Sequence, residues 1–116
     1  MKTRAPGLDL LEPLLERCAS AGASDLHISV ACKPMLRQKG SLTSLDDQAP
    51  LTPDAVLEMV QALANEAQIA TLADERNLDL AHSLPSGERF RINIYFERGN
   101  PALAVRWLDN ACQSLS

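Results

Sequence analysis

The clearest hydrophobic pattern in the chain lies at residues 89–98, where apolar and polar side chains alternate one by one. Successive side chains of a strand point to opposite faces of a sheet, so this alternation predicts a half-buried strand. The apolar face consists of Phe90, Ile92, Ile94 and Phe96. The polar face consists of Arg89, Arg91, Asn93 and Tyr95. We expect the first face in the core and the second in solvent.

Other stretches repeat apolar residues at helical spacing. A first helix is predicted from about Leu10 to Ala21, with a capping box at Asp9 and a glycine stop at Gly22. Pro13 is expected near the end of its first turn. Thr52 followed by a proline predicts the start of a second helix that ends near residue 65, and a third, short helix is predicted at residues 66–73.

Alternation with a period of two recurs along the chain and predicts strands. The predicted strands cover residues 24–30, 34–37, 41–45, 78–83, 89–98 and 103–108. The turns between neighbouring strands are predicted at Gln38–Gly40, Pro85–Gly87 and Gly99–Pro101. This order predicts an α+β fold in which an antiparallel meander late in the chain is the spine and helices pack on one face. Residues 1–108 are expected to form one domain, and residues 109–116 the start of a linker or a free tail.

Composition narrows the function classes. The chain has 116 residues, a net charge of −4 and 46% hydrophobic residues, which suits one acidic domain rather than one that binds nucleic acid through phosphates. Cys18, Cys32 and Cys112 are widely spaced and are expected to be free thiols in a reducing compartment. No signal peptide or membrane-spanning run is present, so the cytoplasm is predicted.

Several well-known catalytic motifs are absent from the sequence. No glycine-rich loop ends in Gly-Lys-Ser or Gly-Lys-Thr, so this chain alone is not expected to hydrolyse a nucleotide. Nothing resembles a nucleophile elbow, and the chain has only two histidines for a metal site. We therefore predict no catalytic residue and no metal ligand in this chain.

Four arginines form the strongest candidate site: Arg89, Arg91, Arg98 and Arg106. Their guanidinium groups could bind the oxygens of a phosphate, because arginine matches that geometry with two parallel hydrogen bonds. Alternatively, they could pair across a solvated sheet with Asp79, Glu88 and Glu97. The pattern alone leaves both interpretations open.

Asp25 and His27 lie two residues apart and therefore on the same face of their predicted strand. They could form a polar site. The simpler alternative is that they anchor the junction between helix and strand, with Asp25 bonded to nearby backbone amides and His27 bonded on the sheet. Neither alternative indicates catalysis.

Several of these motifs together resemble one family. They are Ala-Ser-Asp-Leu-His-Ile at 23–28, Pro-Met-Leu-Arg at 34–37 with Gly40, Leu-Asp-Leu at 78–80, and Arg-Phe-Arg-Ile-Asn-Ile at 89–94. In order and spacing they are similar to the amino-terminal domain of the type IV pilus retraction ATPases, the PilT-like branch of the secretion ATPases. The resemblance covers about Leu11 to Leu108 and includes the helix start at Leu-Thr-Pro, residues 51–53.

This resemblance implies a PAS-like α+β domain that precedes a RecA-like motor domain in a hexameric ring. It implies contact with the motor domain of the same or the neighbouring subunit, an indirect link to the pilus platform at the inner membrane, and a role in twitching motility. It also implies that arginines of this domain reach the nucleotide of the motor, Arg98 and Arg106 ahead of Arg89 and Arg91. ATP and Mg²⁺ are expected only in a full-length parent, and no cofactor is expected for this chain alone.

The chain departs from the family pattern in two places. Cys32 and Lys33 replace a small loop that often contains glycine, and Gln38 and Lys39 replace an acidic turn. Two other functions also stay open. One is a stand-alone interaction module that docks on a pilus or secretion ATPase or another acidic partner. The other is a PAS-like sensor that binds a small ligand in an apolar cavity.

Overall fold

A computed structural model describes residues 6–108, with the side chain of Pro6 left undescribed. Three helices and six strands follow one another in the order αβββααβββ. The helices are α1 (Pro6–Ser20), α2 (Pro53–Leu63) and α3 (Glu66–Glu75). The strands are β1 (Asp25–Ile28), β2 (Met35–Gln38), β3 (Ser41–Ser44), β4 (Asn77–Ser83), β5 (Arg89–Glu97) and β6 (Asn100–Leu108). The predicted α+β fold with a late meander is thus confirmed.

All six strands form one antiparallel sheet with the order β3-β2-β1-β6-β5-β4. The last strand, β6, lies in the middle and pairs with β1 on one side and β5 on the other. Each half of the sheet is a local meander. The pairing of β6 with β1 joins the two halves, although it links residues about eighty positions apart, as in the contact between Arg106 and Asp25.

The core lies between the helices and one face of the sheet. Its largest fully buried side chains are Phe90, Leu11, Leu15, Leu26, Ile28, Met59, Ile92, Ile94, Leu103, Val56, Val60 and Val105. They come from both ends of the chain and from the middle, as expected when helices cover one face of a sheet. Alternation along β5 places Phe90, Ile92 and Ile94 in this core and leaves the opposite side chains on an open face.

Side-chain caps begin two of the helices. The Thr52 hydroxyl accepts a hydrogen bond from the Ala55 amide at the start of α2, as the sequence predicts. Asn65 was expected near the end of α2, but α2 ends at Leu63 and Asn65 caps α3 through a capping box with Gln68. The predicted helical pair is therefore confirmed, with a break of two residues between its members.

The predicted start of α1 is wrong by about one turn. The helix begins at Pro6, where the missing amide hydrogen of proline does no harm, so Asp9 lies in the first turn instead of capping it. Pro13 consequently lies in the interior of the helix, on an exposed face. The predicted end is confirmed, because Gly22 has φ = 68° and the Gly22 and Ala23 amides donate back to the carbonyls of Ala19 and Cys18.

The turn between β5 and β6 also differs from the prediction. It contains only Arg98 and Gly99, both with positive φ, so Asn100 and Pro101 belong to β6 rather than to the turn. Such two-residue turns match the twist of paired strands better than longer ones.

The first strand is shorter than predicted and ends at Ile28, while Val30 makes an isolated bridge with Leu51.

Two further predictions can be compared only in part. Cys18 and Cys32 are free thiols, whereas Cys112 and the predicted tail at 109–116 lie outside the described residues. None of the helices within residues 6–108 has the length and apolar character that a membrane crossing requires.

Candidate functional site

The open face of the sheet carries polar and charged side chains in rows that follow the strand pairing. Arg37, Asp25, Arg106 and Arg91 occupy adjacent positions across β2, β1, β6 and β5. Directly paired residues have side chains about 5 Å apart at their Cβ atoms, so Arg106 is the neighbour of both Asp25 and Arg91. The face thus brings together a carboxylate and several guanidinium groups that are remote in sequence.

The Asp25 carboxylate makes two polar contacts with neighbouring side chains. One of its carboxylate oxygens, Oδ2, accepts a hydrogen bond of 2.8 Å from the Ser24 hydroxyl, and the other, Oδ1, lies 3.5 Å from Nε of Arg106. The Asp25 side chain is 19% exposed, whereas the Arg106 side chain is 73% exposed. A solvent-exposed pair of this length stabilises a fold by about 0–1 kcal/mol, so the pair matters more for orientation than for stability.

A depression of about 250 Å³ opens beside this pair. It is lined by Asp25, Asp79, Arg91, Asn93, Ala104, Val105 and Arg106. Ala104 pairs with Asn93 and His27 across the strands, and its short side chain leaves space between longer neighbours. Two arginines and two aspartates line the depression, so its formal charges balance and an isolated anion would gain little there.

Arg89 and Arg98 lie apart from the depression in opposite directions. Arg89 is exposed two positions before Arg91 on the same face of β5. Arg98 lies in the β5–β6 turn and lines a separate cleft of about 290 Å³ with Cys32, Asn100 and other residues. Since Asn100 and Arg106 are six positions apart on β6, Arg98 and Arg106 are roughly 20 Å apart along the strand. The structure therefore brings Arg91 and Arg106 together, places Arg89 at their side, and separates Arg98 from all three.

Two of the three acids that could have paired with the arginines bond to other side chains. Glu88 accepts a hydrogen bond of 2.8 Å from the indole of Trp107. Asp79 accepts one of 3.3 Å from Asn93. The ion pair on this face is instead made by Asp25, which sequence reasoning had treated apart from the arginines. Only the register of β1 and β6 joins these groups, and no local sequence pattern indicates that register.

His27 and His82 lie on opposite sides of the sheet. His27 is on the open face, in the row adjacent to that of Asp25. The His82 ring lies 2.9 Å from a Glu12 carboxylate oxygen, between β4 and α1, in a partly buried contact. Asp25 was expected to bond to nearby backbone amides, but in the structure its carboxylate accepts a hydrogen bond from the Ser24 hydroxyl and contacts Arg106.

Cys18 lies in the core beneath this junction. Its thiol donates a weak hydrogen bond to the Ala23 carbonyl oxygen, 3.5 Å away. Burial raises the pKa of the Cys18 thiol to about 11, and the nearby negative charge of Asp25 adds to the shift. The thiol is therefore protonated at neutral pH and lacks the thiolate character of a reactive cysteine.

Comparison with known proteins shows similarity to type IV pilus ATPases. The chain is 26% identical over 104 residues to the type IV pilus ATPase PilU of Pseudomonas aeruginosa, across 90% of this chain. It is 31% identical over 88 residues to the type IV pilus retraction ATPase PilT of the same organism, across 76% of this chain. A crystal structure of the pilus retraction motor PilT with bound ADP superposes on 85% of the chain with a TM-score of 0.77 and 26% identity.

The chain matches an amino-terminal domain of PilT-like secretion ATPases. It spans only about a quarter of the length of the two curated relatives, 27% of PilU and 25% of PilT, and 29% of the PilT chain in the crystal structure. No protein-family model matches the chain. In this PilT-like domain, residues 6–108 supply the sheet and its open face, where the depression brings Arg91 and Arg106 together.

Proposed function

We propose that this chain is the amino-terminal domain of a type IV pilus or secretion ATPase and that it supplies contacts between subunits and arginines directed toward ATP. In this proposal the nucleotide and Mg²⁺ belong to a RecA-like motor domain of the same or a neighbouring subunit. The subunits form a homo-hexamer in the cytoplasm, peripheral at the inner membrane and linked indirectly to the pilus platform. The domain has no ATPase activity of its own.

The structural similarity to PilT over 85% of the chain is the observation that carries this proposal. The open face supports it, because two arginines that are direct cross-strand neighbours would repel each other unless an anion or a carboxylate lies between or beside them. Asp25 supplies a negative charge beside Arg106 and so offsets part of this repulsion. A phosphate presented by another domain would supply a negative charge beside both arginines.

Within the proposal, Arg91 and Arg106 act together and Arg89 flanks them. Guanidinium groups donate several hydrogen bonds in a fixed plane, so a pair of arginines can bind the oxygens of one phosphate from two directions. The two aspartates in the depression keep the resting face nearly neutral. Binding then depends on a phosphate that the motor holds in place, and free nucleotide would bind weakly.

Arg98 acts, in this proposal, at a different contact. It lies at the tip of the β5–β6 hairpin, too far along the strand to share a phosphate with Arg106. Its cleft combines Glu97 with Arg98, so it presents charges of both signs to a partner surface. We assign it to contacts between subunits or to a second part of the nucleotide.

The first test is the coding sequence beyond residue 116. The proposal requires a glycine-rich loop ending in Gly-Lys-Ser or Gly-Lys-Thr in a following motor domain. If the reading frame ends without one, the chain is not part of such an ATPase polypeptide. The alternative function, a stand-alone module that docks on an ATPase or another acidic partner, would then take its place.

The second test is ATP turnover by the polypeptide that contains this chain and the motor. The variants Arg106→Ala and Arg91→Ala should each lower ATP turnover by about tenfold to a hundredfold. The reason is that a hydrogen bond to a charged group contributes about 1.5–3 kcal/mol, which each variant would lose in binding the phosphate. The measurement is steady-state phosphate release by hexamers of matched concentration. Circular dichroism would show that the fold of each variant is intact.

Arg17→Ala is the matched control, since it removes an exposed arginine of α1 whose partner is Asp47, on another surface. We expect wild-type turnover from this variant. Wild-type turnover in both Arg91→Ala and Arg106→Ala would overturn the assignment of these arginines. ATP turnover by residues 1–116 alone would contradict the proposal that the motor domain, and not this domain, hydrolyses ATP.

The two depressions described above do not favour a small-ligand sensor. Both open to solvent and carry charged side chains of both signs among their lining residues. A sensor of that kind needs a mostly apolar pocket that encloses its ligand.

A further inference from the structure

Asp25 occupies a position from which it can control the orientation of an arginine. It lies at the start of β1, directly after the α1–β1 junction, and pairs in register with Arg37 on one side and Arg106 on the other. Its Oδ2 atom accepts the Ser24 hydroxyl hydrogen bond at 2.8 Å. Two constraints, the strand backbone and this hydrogen bond, therefore fix the carboxylate before any ligand arrives.

We infer that Asp25 is a positioning residue that holds the Arg106 guanidinium by its Nε atom and directs its two Nη groups toward a phosphate. This inference rests on the proposed function, in which Arg106 approaches the nucleotide of a motor domain. It assigns a specific role to the acidic residue of the Ala-Ser-Asp-Leu-His-Ile motif. It extends the site from the arginines to the carboxylate beside them.

The geometry of the pair supports this role. Nε of Arg106 lies 3.5 Å from Oδ1 of Asp25, a long contact that engages the inner nitrogen of the guanidinium. An arginine held through Nε keeps the four hydrogens of its Nη groups for another acceptor. A contact through the Nη groups would instead compete directly with the phosphate, so the observed contact is compatible with simultaneous binding.

Arg106 needs such support because it is mostly exposed. Its side chain is 73% exposed, and a free arginine samples many rotamers that must be given up when it binds. A carboxylate that already restricts the side chain lowers this entropic cost. Asp25 is far less exposed, at 19%, and is thus the rigid member of the pair.

The neighbours of Asp25 explain why Arg106, rather than Arg37, is the arginine that it holds. Nη1 of Arg37 donates to the Gly40 carbonyl oxygen at 3.4 Å, in the β2–β3 turn. That contact draws the Arg37 side chain toward the turn. On the other side of Arg106, Arg91 is directly opposite, so the negative charge of Asp25 also offsets repulsion between the two guanidinium groups.

Nuclear magnetic resonance of the ¹⁵N-labelled chain tests the positioning directly. The Nε–Hε signal of Arg106 is assigned by its loss in Arg106→Lys, and its heteronuclear relaxation is then measured. We expect restricted motion in the wild type, retention of most of that restriction in Asp25→Asn, which keeps an acceptor oxygen, and free motion in Asp25→Ala. Asp79→Ala is the matched control, because Asp79 lies on the same face but bonds to Asn93.

Turnover by the polypeptide that includes the motor tests the consequence. Asp25→Ala should lower turnover roughly two- to fivefold, as expected when the weak coupling between the exposed Arg106 and its carboxylate partner is lost. Asp25→Asn should recover part of that loss. The double variant Asp25→Ala/Arg106→Ala should be no slower than Arg106→Ala, because Asp25 acts through Arg106.

Each result decides a different question. Relaxation of Arg106 that is the same in the wild type and in Asp25→Ala overturns the positioning role. So does an Asp25→Ala loss that adds fully to that of Arg106→Ala. If Arg106→Ala leaves turnover unchanged, the proposed function of that arginine fails, while the relaxation measurement still decides whether Asp25 holds it.

Discussion

At the residue scale, Tyr95 shows how the sheet face modifies the chemistry of its own side chains. It lies on β5 on the same side as Arg91 and Asn93, partly covered by its neighbours. Burial raises the pKa of the Tyr95 hydroxyl, and the negative charge of Glu97, two residues along the same face, raises it further. Both effects favour the neutral phenol.

This shift gives a prediction that a single measurement can check, since the chain contains one tyrosine. Absorbance at the phenolate band should show a titration midpoint above the ordinary value of about 10. Glu97→Gln should move the midpoint back toward that value, whereas Glu66→Gln, on exposed α3, should leave it unchanged. The pKa of Tyr95 is higher in the folded state than in the unfolded state, so its ionisation affects the stability of the fold. The contribution of Tyr95 to the free energy of unfolding is complete below pH ~10 and is lost as the pH rises through the folded-state pKa.

At the element scale, the crossing of α1 and α2 depends on a glycine. A Cβ atom added to Gly7 would overlap the carbonyl oxygen of Glu58 and lie 2.8 Å from the Met59 amide nitrogen. These are backbone atoms of α2, which cannot move aside as a flexible side chain can. The absence of a side chain at Gly7 therefore sets how closely the two helices approach.

We expect Gly7→Ala to lower the free energy of unfolding by up to about 2 kcal/mol. Forcing extra volume into a packed contact costs about 1–3 kcal/mol, which outweighs the roughly 1 kcal/mol that alanine gains in helix propensity. Urea denaturation followed by circular dichroism measures the change. Ser20→Ala, an exposed site on α1, serves as the control, and stabilisation by Gly7→Ala would show that the two helices can separate without cost.

Local signals in the sequence predicted most elements, and long-range pairing explains what they missed. Thr52 with its following proline and Gly22 marked helix ends correctly, because caps depend on neighbouring residues alone. The β5–β6 turn was misplaced because a non-glycine residue, Arg98, adopts positive φ there, which propensity disfavours and strand pairing imposes.

The candidate site was predictable only in part. Alternation along β5 correctly indicated an exposed face with Arg89 and Arg91. The contact between Asp25 and Arg106 spans 81 positions and depends on the register of two strands, which is set by the packing of the opposite, buried face. Arg98 is separated from the other arginines by its place in the β5–β6 turn, at the far end of both strands.

At the scale of the whole molecule, β6 holds the sheet together. It lies between β1 and β5, so the β1–β3 meander and the β4–β5 hairpin meet only through it in the described sheet. Its Leu103 and Val105 side chains are fully or almost fully buried in the shared core. Removing this strand would expose both inner edges of the sheet and much of that core.

A fragment that ends at Arg98 should therefore lack a cooperative unfolding transition. Thermal circular dichroism of residues 1–98 should show a broad, weak change, and adding a peptide of residues 99–116 should restore a cooperative transition. A fragment that lacks residues 1–5 instead keeps every described strand and is the control. A cooperative transition of residues 1–98 alone would show that one half of the sheet is stable without β6.

The central position of β6 also has a consequence for synthesis of the protein. A ribosome releases the amino-terminal residues first, so β1 leaves the exit tunnel long before its partner in β6 has been translated. During that interval the inner edge of β1 offers unpaired backbone groups to any other extended segment. Slow translation of residues 100–108 would lengthen this exposure, and a chaperone that binds nascent chains would have its longest opportunity there.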